Sequence, residues 1–362
     1  MPVKADSPEL PLIVVQPLPG IGDMVWHVAH IRAIAAWAGG PVTVLTKPRS
    51  MADQLFADEP AVRNVKWVDM NPSGRRGRHD GPLGFIRLVR LLRAGRYRSV
   101  IFLHHGRTLA MAAWLAGIPD RRGYGWGSQR PFLTHGPYLP KSVAKRHQLK
   151  RATAWIEASA IPLASDEPRL AATPASRQAA RDHASVPAQF LAMGIGSSEA
   201  QRNWGMEKFA ALARLLFEAG WPAIVLVGGP DDDAHAEAIR QHSGHPDRFR
   251  TALGWALPEV MGLLAEARFC VANNTGVMNL AAALGTRTYG VFGTTFPFDH
   301  ASEIRRVMAP DIGIDDGAGR VTLAMMVDAI TTDRGGLGPA VALPAHQPGS
   351  IRSEISAKET RE

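Results

Sequence analysis

Cysteine is almost absent from this chain. Cys270 is the only one in 362 residues, which excludes an intramolecular disulfide framework and any cysteine-only metal site. That fits a reducing compartment. Long apolar runs are missing too. No stretch reaches 18 apolar residues, so no transmembrane helix is expected, and contact with a membrane would be peripheral. The apolar run near the start, Leu12 to Val15, is too short for the core of a signal peptide. A Gly-Lys-Ser/Thr phosphate loop is absent, which argues against an NTPase. The 13 histidines lack metal-ligand spacing: His27/His30, His104/His105 and His242/His245 are short pairs without a third ligand nearby. They read as structural or solvated. Aromatic residues are sparse among the cationic stretches, which disfavours stacking on single-stranded nucleic acid.

Charge is unevenly distributed. Residues 1–150 hold 22 Lys and Arg against 9 Asp and Glu, a balance of +13 within a whole-chain charge of +8. The remainder is therefore acidic, at −5. A basic front half could face nucleic acid, anionic lipid or a phosphorylated substrate. Overall, 46% hydrophobic and 20% charged residues describe an ordinary globular chain, long enough for two domains.

Apolar runs alternate with helical patterns. LIVVQ (12–16), PVTVLT (41–46), VKWVDM (65–70) and SVIFLHH (99–105) read as strands. Between them, helices are expected over DMVWHVAHIRAIAAWA (23–38), Arg49 to Ala57, FIRLVRLLRAG (85–95) and RTLAMAAWLAG (107–117). The alternation restarts with FLAMGIG (190–196), AIVLVGG (223–229), FCVANN (269–274) and TYGVFG (288–293) as strands, again with helices between. The plan is two doubly wound α/β domains, taken as 1–165 and 166–332. Residues 145–185, helical and then Pro/Ala/Ser-rich, read as the connection, and 333–362 as a disordered tail.

Ligands in such sheets bind at the C-terminal ends of the strands, so the strand-to-helix turns hold the candidate sites. PLPGIGD places Gly20, Gly22 and Asp23 at the first turn. The dinucleotide fingerprint would need glycine where Val25 stands and an acidic residue near Thr46-Lys47, so a nicotinamide dehydrogenase is disfavoured. Asp23 fits two roles, a helix cap or a general base facing a cleft. GIGSSEAQRNW (194–204) sets Gly196, Ser197, Ser198 and Arg202 in one polar loop suited to a phosphate. The competing reading is a solvated loop with Arg202 stacked on Trp204. Asp231 opens the helix after the VGG turn and is a further donor-side candidate. NNTGVMNLAAALG (273–285) brings Asn274, Thr275 and Gly276 to a helix start that suits an anion, with Asn279 one turn in. The alternative there is an N-cap on a core helix. Arg87, Arg90 and Arg93 share one helix face, with Leu88, Leu91 and Leu92 on the other. This face is either solvated or a contact for anionic lipid or acceptor phosphates. Arg121 and Arg122 add cations on the same half.

Read together, these turns resemble glycosyltransferase family 9, the bacterial ADP-heptose:lipopolysaccharide heptosyltransferases. PLPGIGDMVWHVAHIRAI is similar to the family's opening GD loop, and GRTLAMAAWLAGIPDRRGYG to its AGIPxRxGY segment. RNWGMEKFAALARLL resembles KRWPxExFAxLA, and NNTGVMNLAAALGTRTYGVFGTT resembles NDSGxMHLAAALGxPxxxLFGPT. The resemblance covers about residues 12–330 and implies the GT-B fold, two Rossmann-like domains across a cleft. It implies an inverting transferase that uses no metal and no cofactor, with a nucleotide sugar as donor. Asp23 would be the base. Arg202, standing where the family has lysine, would hold the diphosphate with Ser197, Thr275 and Gly276. Two departures are Asn274 for an aspartate and Asn279 for a histidine, neither of which can ionise. They leave room for a nucleotide-sugar epimerase of the same plan or a catalytically weak nucleotide-sugar binder. With the donor in the acidic half, the basic half becomes the acceptor side, carrying Gly22, Arg87, Arg90, Arg121 and Arg122. The implied acceptor is a lipopolysaccharide or other phosphorylated lipid-linked glycan. The implied location is cytoplasmic, at the inner membrane surface, and nucleic acid drops out as a partner.

Overall fold

The computed structural model describes residues 11–71, 75–197, 199–293, 300–310 and 317–333. The first domain runs β1 (Leu12–Val15), α1 (Ile21–Val25), α2 (Val28–Ala38), β2 (Val42–Thr46), α3 (Ala52–Leu55), β3 (Val62–Trp67), α4 (Gly81–Ala94), β4 (Ser99–Phe102), α5 (Arg107–Leu115), β5 (Asp120–Gly123) and α6 (Gln148–Ala158). The second runs α7 (Pro174–Ala184), β6 (Leu191–Gly194), α8 (Met206–Glu218), β7 (Ile224–Gly228), α9 (Asp233–Ser243), β8 (Phe249–Leu253), α10 (Leu257–Glu266), β9 (Cys270–Asn273), α11 (Gly276–Ala283), β10 (Thr288–Phe292), β11 (Ile304–Met308) and α12 (Leu323–Thr332).

Both sheets are wholly parallel in their pairings, with orders β3-β2-β1-β4-β5 and β11-β10-β9-β6-β7-β8. Central strands of such sheets are covered on both faces and are apolar throughout. β1 (LIVV) and β2 (VTVLT) are buried at every position. The edge strands β5 (DRRG), β8 (FRTAL) and β11 (IRRVM) carry arginines, and their polarity hid them from the sequence pattern. β3 begins three residues earlier than expected.

Each domain has helices on both faces of its sheet. α4 and α5 cover the outer face of the first sheet, where Leu88, Leu92, Leu109 and Ala112 meet Ile13, Val15, Val100 and Phe102. α8 and α12 do the same for the second. The inner layers, with α2 and α6 from one domain and α10 and α11 from the other, join in one apolar cluster. The domains therefore share core surface behind the cleft. Leu257 N–H donates to Gln54 Oε1 at 2.8 Å and Leu170 N–H to Ala283 O at 2.7 Å, pinning that junction.

Two expectations need correction. The Pro/Ala/Ser-rich stretch at 174–184 is the regular helix α7, capped by Thr173 Oγ1 on Ser176 N–H at 3.1 Å and packed on α10. Its Pro174 at the first helical position starts the helix rather than marking a linker. The single helix expected over 23–38 is two, interrupted at Trp26 and His27. Gly39 ends the second at φ 78°, the left-handed cap that glycine adopts without strain. The expected tail, beyond Asp333, lies outside the described residues.

Candidate active site

The first wall of the cleft is the turn after β1. Gly20 has no side chain to cap α1, so Asp23 folds back and its Oδ2 accepts the Gly20 N–H at 2.9 Å. Asp23 is thus both the capping residue and a half-buried carboxylate at the sheet edge. Burial raises its pKa above the ordinary aspartate value. The Gly20 N–H and the Arg202 charge pull against that shift. Arg202 belongs to the other domain, so the base candidate and the cradle candidate are within electrostatic reach of each other across the cleft.

The second wall is the loop after β6. Asn273, at the end of β9, holds it: its Nδ2 donates to Ile195 O at 2.8 Å and its Oδ1 accepts from Trp204 N–H at 3.0 Å. Trp204 is buried edge-on against Phe209 and donates from Nε1 to Val321 O at 2.7 Å. It anchors the loop and is not a surface partner stacked under Arg202. Arg202 pairs with Glu199, Nε to Oε2 3.2 Å. Ser197 Oγ donates to Glu199 O at 2.7 Å, shaping the turn, while Ser198 lies outside the described residues. Gly196 abuts the next turn, where a Cβ would stand 2.5 Å from Asp232 Oδ2. That places Asp232, not Asp231, at the strand ends. Asp231 is exposed, and Asp232 Oδ2 accepts the Gly229 N–H at 2.8 Å.

The third element is the start of α11. Thr275 is its N-cap in extended conformation, and Gly276 follows. The Thr275 hydroxyl oxygen is buried with no hydrogen-bond partner among the described residues. A buried hydroxyl at a helix N-terminus, beside unsatisfied main-chain N–H groups, suits a phosphate oxygen. Asn274 is part-exposed beside it. Asn279 does something else. Its Oδ1 accepts from Trp26 Nε1 at 2.9 Å and from His300 Nε2 at 2.7 Å, and its Nδ2 donates to Thr275 O at 3.0 Å. Asn279, expected on the donor side, makes a contact between the domains. Gly22, expected on the acceptor side, belongs to the same contact: a Cβ there would stand 2.9 Å from Asn279 Nδ2. Gly276 faces Ile21 and Gly22 in return, so two glycines let α1 and α11 approach.

The expected acceptor-side arginines separate into two groups. Arg87 and Arg90 are exposed on α4. Arg121 is instead a brace, donating to main-chain oxygens of Phe132 at 2.6 Å, Pro119 at 3.4 Å and Ile118. Arg122 pairs with Asp120 at 3.0 Å and lies 5.2 Å from the Trp37 ring centroid. Both have partners within the first domain, in or beside β5. Other side chains were missed. His104 and His105 follow β4 and stack at 4.8 Å; Trp126 follows β5, 6.0 Å from His105; Arg151 lies 5.8 Å from Trp126; His147 packs edge-on to Trp26 at 4.4 Å. Burial lowers the pKa of His27, His104 and His147 to about 4. The strand-end rule pointed to this wall, but histidine pairs lack a motif of their own. Among the described residues no group of three His, Cys, Asp or Glu could hold a metal ion.

Comparison with known proteins agrees with this geometry. The family model for glycosyltransferase family 9 (heptosyltransferase) matches residues 85–302. Lipooligosaccharide heptosyltransferase 2 of Haemophilus ducreyi is 34% identical over 101 residues, 26% of this chain; the match spans 29% of that relative's length. A glycosyltransferase family 9 structure from Veillonella parvula superposes with TM-score 0.74 at 19% identity, covering 90% of this chain and 98% of that one. An E. coli heptosyltransferase with ADP-2-deoxy-2-fluoro heptose superposes with TM-score 0.66 at 17% identity, covering 87% and 96%. The fold is GT-B, and on the family match over more than half its length the chain belongs to glycosyltransferase family 9.

Proposed function

We propose that the protein transfers a heptose or related sugar from a nucleotide-diphosphate donor to a lipopolysaccharide or other lipid-linked acceptor. The observation that carries this reading is that the Arg202 charge, from the second domain, reaches the Asp23 carboxyl of the first and pulls its pKa down against burial. Asp23 takes the proton of an acceptor hydroxyl. That oxygen attacks the anomeric carbon from the face away from the diphosphate, the carbon–oxygen bond to the diphosphate breaks, and the configuration inverts. Negative charge gathers on the leaving diphosphate. Arg202, the Thr275 hydroxyl and the first N–H groups of α11 are positioned to stabilise it. This route calls on no metal. The ADP-heptose analogue bound by the E. coli neighbour supports the donor class. A phosphorylated lipid-linked acceptor accounts for the +13 balance of residues 1–150 and sets the enzyme at the inner face of the cytoplasmic membrane.

The test is turnover of ADP-heptose with and without a lipopolysaccharide-core acceptor, in the presence of EDTA, with the product's anomeric configuration read by NMR. Transfer only with acceptor, and with inversion, is expected. Donor consumed without acceptor would replace this reading with an epimerase, and retained configuration would remove Asp23 as the base of a single displacement.

A further inference from the structure

Exposed apolar surface is concentrated on one layer. Among the described residues five large hydrophobic side chains are exposed, and four lie on α4 and α5. Leu83 is 71% and Ile86 45% exposed on α4; Trp114 is 51% and Leu115 41% exposed on α5. None of the five belongs to the second domain. On α4, positions 83, 86, 87, 90 and 93 recur at helical spacing and are all exposed, two aliphatic followed by three arginines. Leu88 and Leu92 on the opposite face are buried, so the fold does not need the outer one.

The charge on this layer has one sign. Residues 81–119 hold six arginines and no aspartate or glutamate. Ordinary soluble surfaces intersperse both signs and carry little contiguous apolar area. Here Arg87 and Arg93 donate to main-chain oxygens, of Arg78 at 3.5 Å and Leu115 at 2.6 Å. The second of these bonds joins α4 to α5. Arginine beside exposed aliphatic and indole groups matches the chemistry of an anionic lipid interface. The cations meet phosphates, and the apolar tips enter the headgroup layer. The segment before α4 is tied to the residues after β3, His79 N–H donating to Asp69 O at 2.8 Å, so the Leu83 end of α4 lies toward the cleft-facing edge of the sheet.

We propose that the outer α4–α5 face docks on an anionic bilayer, with Leu83, Ile86, Trp114 and Leu115 inserted and Arg87, Arg90 and Arg93 against lipid phosphates. Its purpose rests on the lipid-linked acceptor proposed above, but its test does not need turnover. The full chain is floated with vesicles of phosphatidylcholine alone, or mixed with phosphatidylglycerol, at low and high salt. Binding is expected only to the anionic vesicles, weakening as salt rises. The double variant Leu83→Ser/Ile86→Ser is expected to bind about tenfold more weakly, as lost apolar burial dictates. Trp114→Ser, on the neighbouring helix, shifts in the same direction. Leu83 and Ile86 lie outside the cleft and on the surface, so for the double variant thermal stability and transfer to a soluble, lipid-free acceptor stay unchanged; Trp114→Ser also loses the ring contact with Phe132 at 5.9 Å and is read by vesicle binding alone. A parent protein that ignores anionic vesicles, or variants that bind as the parent does, overturns the proposal. Vesicle binding without transfer to any acceptor would instead overturn the transferase reading and leave the docking face standing.

Discussion

Trp26 Nε1 donates to Asn279 Oδ1 at 2.9 Å, joining the two domains across 253 residues of sequence. The indole reaches the second domain because the helix after the Asp23 turn breaks at Trp26 and His27. The same oxygen accepts from His300, and Gly22 leaves room for the amide. This contact adds to the shared apolar cluster in holding the two domains together. Trp26→Phe keeps the ring and removes the donor. It should lower stability by about 1 kcal/mol, the net value of one such bond. Calorimetric unfolding measures the loss, and small-angle scattering should show a wider spread of domain separations.

Asp23→Asn should lower turnover by about 10²- to 10⁴-fold, the usual cost of losing a general base. The parent's acid limb in kcat against pH should lie above the ordinary aspartate value of 3.8, since burial raises this group. The limb should vanish in the variant. Stability should move the other way. A carboxyl whose folded pKa is raised stabilises the fold fully below 3.8 and loses that contribution as pH rises through the folded value. At neutral pH the asparagine variant should therefore unfold at an equal or higher temperature, as a thermal scan would show.

Thr275→Val separates binding from folding. The hydroxyl has no hydrogen-bond partner among the described residues, so its removal should leave stability within about 0.5 kcal/mol. Affinity for ADP, measured by calorimetry, should fall about tenfold or more, the value of one hydrogen bond to a charged oxygen. Arg202→Ala should weaken ADP further and slow turnover.

Acid should destabilise the first domain early. His27, His104 and His147 are held near pKa 4 by burial, against 6.5 when unfolded. The unfolded chain then binds more protons, so stability is complete above pH 6.5 and falls as pH drops toward 4. Melting temperature should decline between pH 7 and 5, and His27→Gln should flatten that decline. His27 Nδ1 donates to Asp23 O at 2.6 Å, so the glutamine amide offers a replacement donor.

Arg121→Ala should destabilise without changing acceptor KM. Its guanidinium serves the carbonyls of Phe132, Pro119 and Ile118, not the cleft. Losing these part-buried hydrogen bonds costs about 0.5–1.5 kcal/mol. A raised acceptor KM with unchanged melting temperature would restore Arg121 to the acceptor side.

What the amino-acid sequence determined by itself is local. Continuous apolar runs such as LIVV and VTVLT can only be covered on both faces, which makes the strands parallel and the domains α/β. Gly20, Asp23, Thr275 and Gly276 stand at strand-to-helix turns, and that position marked them as candidates. The edge strands β5, β8 and β11 were illegible because one exposed side admits arginine and breaks the apolar pattern. The tertiary structure decided which polar side chains face the cleft and which are consumed elsewhere. Asn279 and Gly22 meet at the contact between domains, Asn273 and Trp204 hold the loop after β6, Asp232 accepts the Gly229 N–H, and Arg121 braces a carbonyl cluster. Spacing along the chain shows where a side chain starts. Its hydrogen-bond partner can lie as far as 253 residues away, as Asn279 does from Trp26, and only the closed fold brings the two within 3 Å.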